Sequence, residues 1–257
     1  MIISILQLEA FSFILARIAG IFIQAPLFSA RSLPTSAKSA MAIWIALVLW
    51  FVTPLAPNLP TSLTGFFLVL AGEVLVGFTI GFICNVLFLA IQAAGEFIDL
   101  QMGLSVAQAL DPVFGSVISI VGRLLFFLSL TIFIILDGHH MLLAAFHHSF
   151  EFLPAGKLAN FISNDFAVQT FALGSSLWLT ALKLAIPVIL LIFIVDFTFG
   201  IVSRVAPQVN VFMLGFQVKP YVGLFGIMLM TPLLIKYLGK VIELMLAEST
   251  KFLMYIK

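Results

Sequence analysis

Few side chains in this sequence are equipped for chemistry, and those that are fall into three groups. All four histidines lie in DGHHMLLAAFHHSFEFLP, residues 137–154. On a helix His140 and His147, seven positions apart, share a face, which invites a metal site. The pattern argues against one. HExxH is absent, neither histidine pair has the i,i+4 ligand spacing, and Cys84, the only thiol, is distant. A metal would need acidic or thiol co-ligands within reach. The expectation is therefore no metal and a histidine-rich helix end near a membrane surface.

Arg17, Glu73, Lys183 and Asp196 sit well inside apolar segments. An ionisable group in hydrocarbon costs several kcal/mol unless it is paired or faces water or protein. One reading is an ion or proton pathway. However, one acid or base per segment, with no acid–acid or acid–His cluster, makes a poor relay. A structural role is expected for all four.

The third group is GEFIDLQMGLSVAQALDPVFGS, residues 95–116, which carries three acids (Glu96, Asp99, Asp111) and no basic residue. It is too apolar for a solvated loop and too broken by Gly and Pro for a spanning helix. No Walker loop, GxSxG elbow or dinucleotide fingerprint occurs in the chain. Neither catalysis nor a cofactor is expected.

The elements that hold these groups must suit a chain that is 63% hydrophobic and 9% charged, with mean hydropathy +1.24. A soluble domain of 257 residues has no interior large enough for so much apolar side chain, so this is an integral membrane protein. A net charge of +1 gives no electrostatic argument for nucleic acid. The first segment has no basic residue before Arg17 and no small-residue cleavage site, so it is expected to stay in the mature protein.

Six apolar runs follow, at residues 5–28, 40–52, 64–94, 118–136, 171–203 and 222–235, with breaks at 31–38, 54–60, 137–165 and 204–220. Their lengths disagree with a bilayer. Run 40–52 would reach only about 20 Å against a hydrocarbon core of about 30 Å, whereas run 64–94 would reach about 46 Å. Run 222–235, between Pro220 and Pro232, is also short, and run 171–203 is longer still. Two architectures fit: a six-helix bundle with ragged ends, or helices that pack mainly on protein outside the geometry of a flat bilayer. Basic residues split four against five between alternate breaks, so the positive-inside rule sets no topology. Gly72, Gly77 and Gly81 share one neighbourhood, with Gly77 and Gly81 in GxxxG spacing, which favours close helix packing and names no partner.

Three motifs in order give the chain a likeness. LARIAGIFIQAPLF near the start, GEFIDLQMGLSVAQALDP in the middle and GIVSRVAPQVNVFMLGFQVKPYVGLFG at 200–226 resemble the FliR/SctT family of type III export-gate proteins over essentially the whole of residues 1–257. The pattern Arg204-x-x-Pro207-Gln208-x-Asn210-x-Phe212, followed by Lys219, is its most specific part. One departure is Gln217, where the family usually has Pro. The resemblance implies a single all-α domain of kinked helical hairpins, like a fusion of the folds of FliP and FliQ. It further implies a closed helical cone built with several copies of those partners, with FlhB around the entrance and FlhA nearby. Unfolded flagellar proteins would pass through the centre, at the basal body in the bacterial inner membrane. The Leu214-Gly215-Phe216 context favours the flagellar version over the injectisome one; a small-molecule or ion transporter is the further alternative.

The resemblance also gives the 95–116 stretch a task. The loop from Met102 to about Val117 would project into the channel and help to plug it. Gly103 and Gly115 supply bends, and Asp111-Pro112 favours a turn. Leu104, Val106, Leu110, Val113 and Phe114 would seal without binding strongly. Arg204, Gln208 and Asn210 are expected to be buried by protein, since a polar cluster beside apolar segments needs hydrogen-bond partners.

Overall fold

The computed structural model describes residues 5–29, 33–53, 55, 56, 59, 60, 62–105, 119–159, 161 and 164–255. Among these the architecture is all-α: α1 (Ile5–Gln24), α2 (Thr35–Trp50), α3 (Leu63–Met102), α4 (Ile120–Ile135), α5 (Gly138–Phe152), α6 (Asn164–Val205) and α7 (Val211–Tyr255). The described residues contain one isolated parallel bridge, Leu55 to Ala155, and no named strand.

Local chemistry sets where the helices start. The Ser62 hydroxyl accepts from Gly65 N–H at 3.1 Å, capping α3. At α4 the Ser119 hydroxyl accepts from Gly122 N–H at 2.7 Å, while Asp99 Oδ2 on α3 accepts from Ile120 N–H at 2.9 Å. A carboxylate from a neighbouring helix thus completes that cap. Asp165 in the first turn of α6 and Arg204 in its last turn complement the helix dipole.

The apolar runs and the helices differ instructively. Run 222–235 is not a short segment; it lies inside the 45-residue α7, which carries Pro220 and Pro232 internally. Apolarity breaks there and the helix does not. Gln217 likewise sits in unbroken α7. The break expected at 137–165 contains α5, which follows α4 across a 73° bend. The break expected at 204–220 shrinks to residues 206–210. Among the described residues four helical stretches are long and apolar enough to cross a membrane: Gln7–Gln24, Leu63–Met102, Asn164–Val205 and Val211–Lys240, with the bent α4–α5 pair as a fifth if it forms one span. The 40 residues of α3 extend about 60 Å, twice a hydrocarbon core of about 30 Å.

The chain divides into two compact units. The first comprises Met1–Leu87, Phe133–Gly174 and Lys240–Lys257. Its interior includes Phe13, Ile14, Ile80, Phe146 and Phe150. Here α1 meets the first half of α3 at backbone distance. A methyl group on Gly77 would overlap the Arg17 carbonyl oxygen, and one on Gly20 the Val74 carbonyl oxygen. A methyl on Gly81 would come within 2.9 Å of Ile21 O. The GxxxG face is therefore used inside the chain, and Gly20 is its partner on α1. The second unit comprises Phe88–Ile132 and Ser175–Gly239. Its core contains Ile91, Ile98, Met102, Leu125, Val188 and Leu234.

Candidate functional site

Among the described residues, each unit holds a polar centre enclosed by apolar helices. In the first unit Arg17 is fully buried on α1. Its Nε donates to Glu73 Oε2 at 2.6 Å, Nη1 to Ser149 Oγ at 3.0 Å and Nη2 to the Leu153 carbonyl at 2.9 Å. Its Cζ stands 4.0 Å from the centroid of the Phe150 ring. The other carboxylate oxygen, Glu73 Oε1, accepts from Gly156 N–H at 2.9 Å. Gly156 has φ +92°, a conformation costly for other residues, which lets the 153–156 turn present both its carbonyl and its amide. The planar fork of Arg17 thus ties α1, α3, α5 and that turn together. Desolvating two charges is costly, and such a pair survives where each carboxylate oxygen and each guanidinium nitrogen finds a partner, as here.

In the second unit a cavity of about 570 Å³ is bounded by α3, α6 and α7. Lys219 Nζ meets Asp196 Oδ1 at 2.6 Å, and Gln101 Nε2 donates to Asp196 Oδ2 at 3.4 Å. Leu100, Met102, Phe199, Phe212 and Phe216 supply apolar walls. Asp196 retains 35% and Lys219 24% of its side-chain exposure. An ion pair open to the cavity on one side can meet a polar or charged group there.

The sequence groups are redistributed accordingly. Met102 and Gly103 from the middle stretch, Phe212 and Lys219 from the late motif, and Asp196 from the isolated charges all line this one cavity. Arg17 and Glu73 form the other centre. Lys183 is exposed on α6 and takes no ion-pair partner among the described residues. Met102 is buried against Gly223, and Leu104 packs on the same core. Val106, Leu110, Asp111, Pro112, Val113, Phe114 and Gly115 lie outside the described residues.

Within the single chain Arg204, Gln208 and Asn210 are exposed, as is Pro207, so any burial of this cluster must come from other chains. Their local role is a helix stop and restart. Arg204 lies in the last turn of α6, Pro207 lies in the turn that follows, and Asn210 Oδ1 accepts from Met213 N–H at 3.2 Å to cap α7. Sequence reasoning missed Ser149, Phe150 and Gly156, which complete the Arg17 centre from 132 to 139 positions away. No local pattern marks them.

Residues 8–245 match the family model described as "Bacterial export proteins, family 1". The chain is 34% identical to the flagellar biosynthetic protein FliR of Escherichia coli (strain K12), over 86% of this chain and 83% of that protein. It is 33% identical to the FliR of Pectobacterium carotovorum subsp. carotovorum, over 85% and 82% respectively. For the FliR of Bacillus subtilis (strain 168) the identity is 31%, over 82% and 81%. A family match across nearly all of an apolar, all-helical chain leaves one assignment: the chain belongs to the bacterial export proteins of family 1.

Proposed function

We propose that this chain is a core subunit of the flagellar type III protein export gate. With FliP and FliQ it would form the closed channel through which unfolded flagellar proteins leave, with FlhB at the entrance and FlhA nearby. The setting would be the bacterial inner membrane. The observation that carries this reading is the mismatch between helix and bilayer. Helices α3, α6 and α7 have 40, 42 and 45 residues. Only 17% of the apolar window of α6 is buried within the chain. Lipid covers a helix face over about 30 Å, so the remaining apolar length needs other protein chains. The relatives' name, flagellar biosynthetic protein FliR, supports flagellar assembly as the setting. The proposal assigns no catalytic step to this chain.

Its test is purification from the native membrane. A gate subunit brings two other small membrane proteins in unequal amounts, and its deletion abolishes flagella. Recovery alone or as a homo-oligomer would fit a transporter and sink the proposal.

The same proposal makes residues 102–117 a channel plug, in which Leu110, Val113 and Phe114 seal and Met102 anchors the segment to the core. Deleting 106–114 is then expected to give a gate that assembles yet passes small solutes without substrate. An assembled deletion gate that stays tight would move the seal elsewhere.

A further inference from the structure

The turn between α4 and α5 carries a group of side chains that neither the family assignment nor the proposed gate role employs. Asp137 adopts φ 56° and ψ 24°, the only described non-glycine residue with positive φ. Asp enters this left-handed region more readily than most residues, and keeps it where the surroundings demand it. The demand comes from both sides. Asp137 N–H donates to Ile134 O at 3.1 Å, closing α4, and Asp137 O accepts from His140 N–H at 3.0 Å, opening α5. Gly138 lies directly beneath the buried Phe133 ring, where a side chain would collide. The chain is therefore held in a tight reversal, and its side chains are brought together by it.

Three of those side chains converge. Asp137, His139 and His140 each present one ligand atom, all within 4.8 Å of one another. The rings of His139 and His140 have centroids 4.1 Å apart, and His140 Nδ1 lies 3.3 Å from Asp137 Oδ1. Among the described residues His139 Nδ1 is buried with no hydrogen-bond partner, a state that buried polar atoms rarely keep.

We propose that Asp137, His139 and His140 bind one divalent transition-metal ion of the zinc class. Two imidazole nitrogens and a carboxylate oxygen are the donor set that zinc, nickel and copper prefer over magnesium and calcium. The facing ends of α4 and α5 contribute opposed dipoles, so the side chains decide the affinity. Asp137 and His140 keep 75% and 69% of their side-chain exposure, which leaves an entry path and room for water in the remaining positions. The ion would brace the 73° bend between the two helices. The second histidine pair is a different case: His148 is engaged by Glu151 at 2.8 Å, and His147, although its Nδ1 is also buried without a partner among the described residues, is not part of the converging set.

The test is a zinc titration of the full chain in its native complex, purified through a tag without histidine and stripped with chelator. A chromophoric chelator reports competition, and cobalt(II) serves as the spectroscopic probe. One Zn²⁺ per chain is expected, with binding weakened at least about tenfold by Asp137→Asn or His140→Gln. Both side chains are exposed, so neither change should disturb folding, which circular dichroism checks. The His147→Gln/His148→Gln double variant is expected to bind as the unaltered protein does. A protein that takes up no zinc overturns the proposal. So do wild-type affinity in His139→Gln/His140→Gln and loss of binding confined to the 147/148 variant.

Discussion

Arg17 and Glu73 stand 56 positions apart in sequence and form a 2.6 Å ion pair from which solvent is wholly excluded. Both partners have their remaining polar atoms occupied by Ser149, Leu153 and Gly156. Removing one charge strands the other. Glu73→Gln or Arg17→Leu is therefore expected to cost about 3–5 kcal/mol, far more than an exposed pair, and to lower recovery of folded chain. Thermal unfolding in detergent measures this. The paired replacement Arg17→Met/Glu73→Leu should cost less than either single change. A Glu73→Gln chain of wild-type stability that assembled normally, yet lost proton-driven export, would return the pair to the proton-pathway reading.

Gly77 and Gly20 predict opposite behaviour from glycines that face open space. Alanine at Gly77 must push α1 away from α3, at an expected cost of about 1–3 kcal/mol. Alanine at Gly239, with nothing within 4 Å, should stabilise α7 by up to about 1 kcal/mol. Comparing the unfolding temperatures of the two variants tests the close approach; equal shifts would refute it.

Asp99 caps α4 from α3. Asp99→Ala should destabilise by about 0.5–2 kcal/mol, the range for a lost cap. The Ile120 amide should then exchange its hydrogen faster, while amides in the middle of α4 change little. Uniform loss of protection along α4 would mean that Asp99 holds more than the cap.

Asn210 and Arg204 separate a local role from a contact with another chain. Asn210→Leu removes the α7 cap and should lower the stability of the chain itself by about 0.5–2 kcal/mol. Exposed Arg204→Leu should leave that stability within about 0.5 kcal/mol of the original. If Arg204→Leu nevertheless reduces recovery of the complex, its guanidinium is covered by a neighbouring chain. Full assembly and export by both variants would confine the motif to its helix-break role.

Composition alone determined that the chain lives in a membrane, because no soluble interior can hide so much apolar surface. The ordered motifs determined the family, and they did so from residue identities that folding does not alter. Hydropathy found most helices but misplaced their ends. It registers side-chain transfer energy, whereas a helix continues wherever backbone hydrogen bonds close. Pro220, Gln217 and Lys219 lower apolarity without stopping α7. Tertiary structure decided the pairings. Glu73 was visible as a charge in an apolar run, but its partner depended on α1 closing to backbone contact at Gly20 and Gly77. Asp196 and Lys219 come from different helices and meet only because α6 and α7 fold back past the 206–210 turn. His139 and His140 gave no ligand spacing in sequence. They acquire Asp137 as a neighbour through one left-handed residue, and a backbone dihedral of that kind leaves no periodic trace in the order of the amino acids.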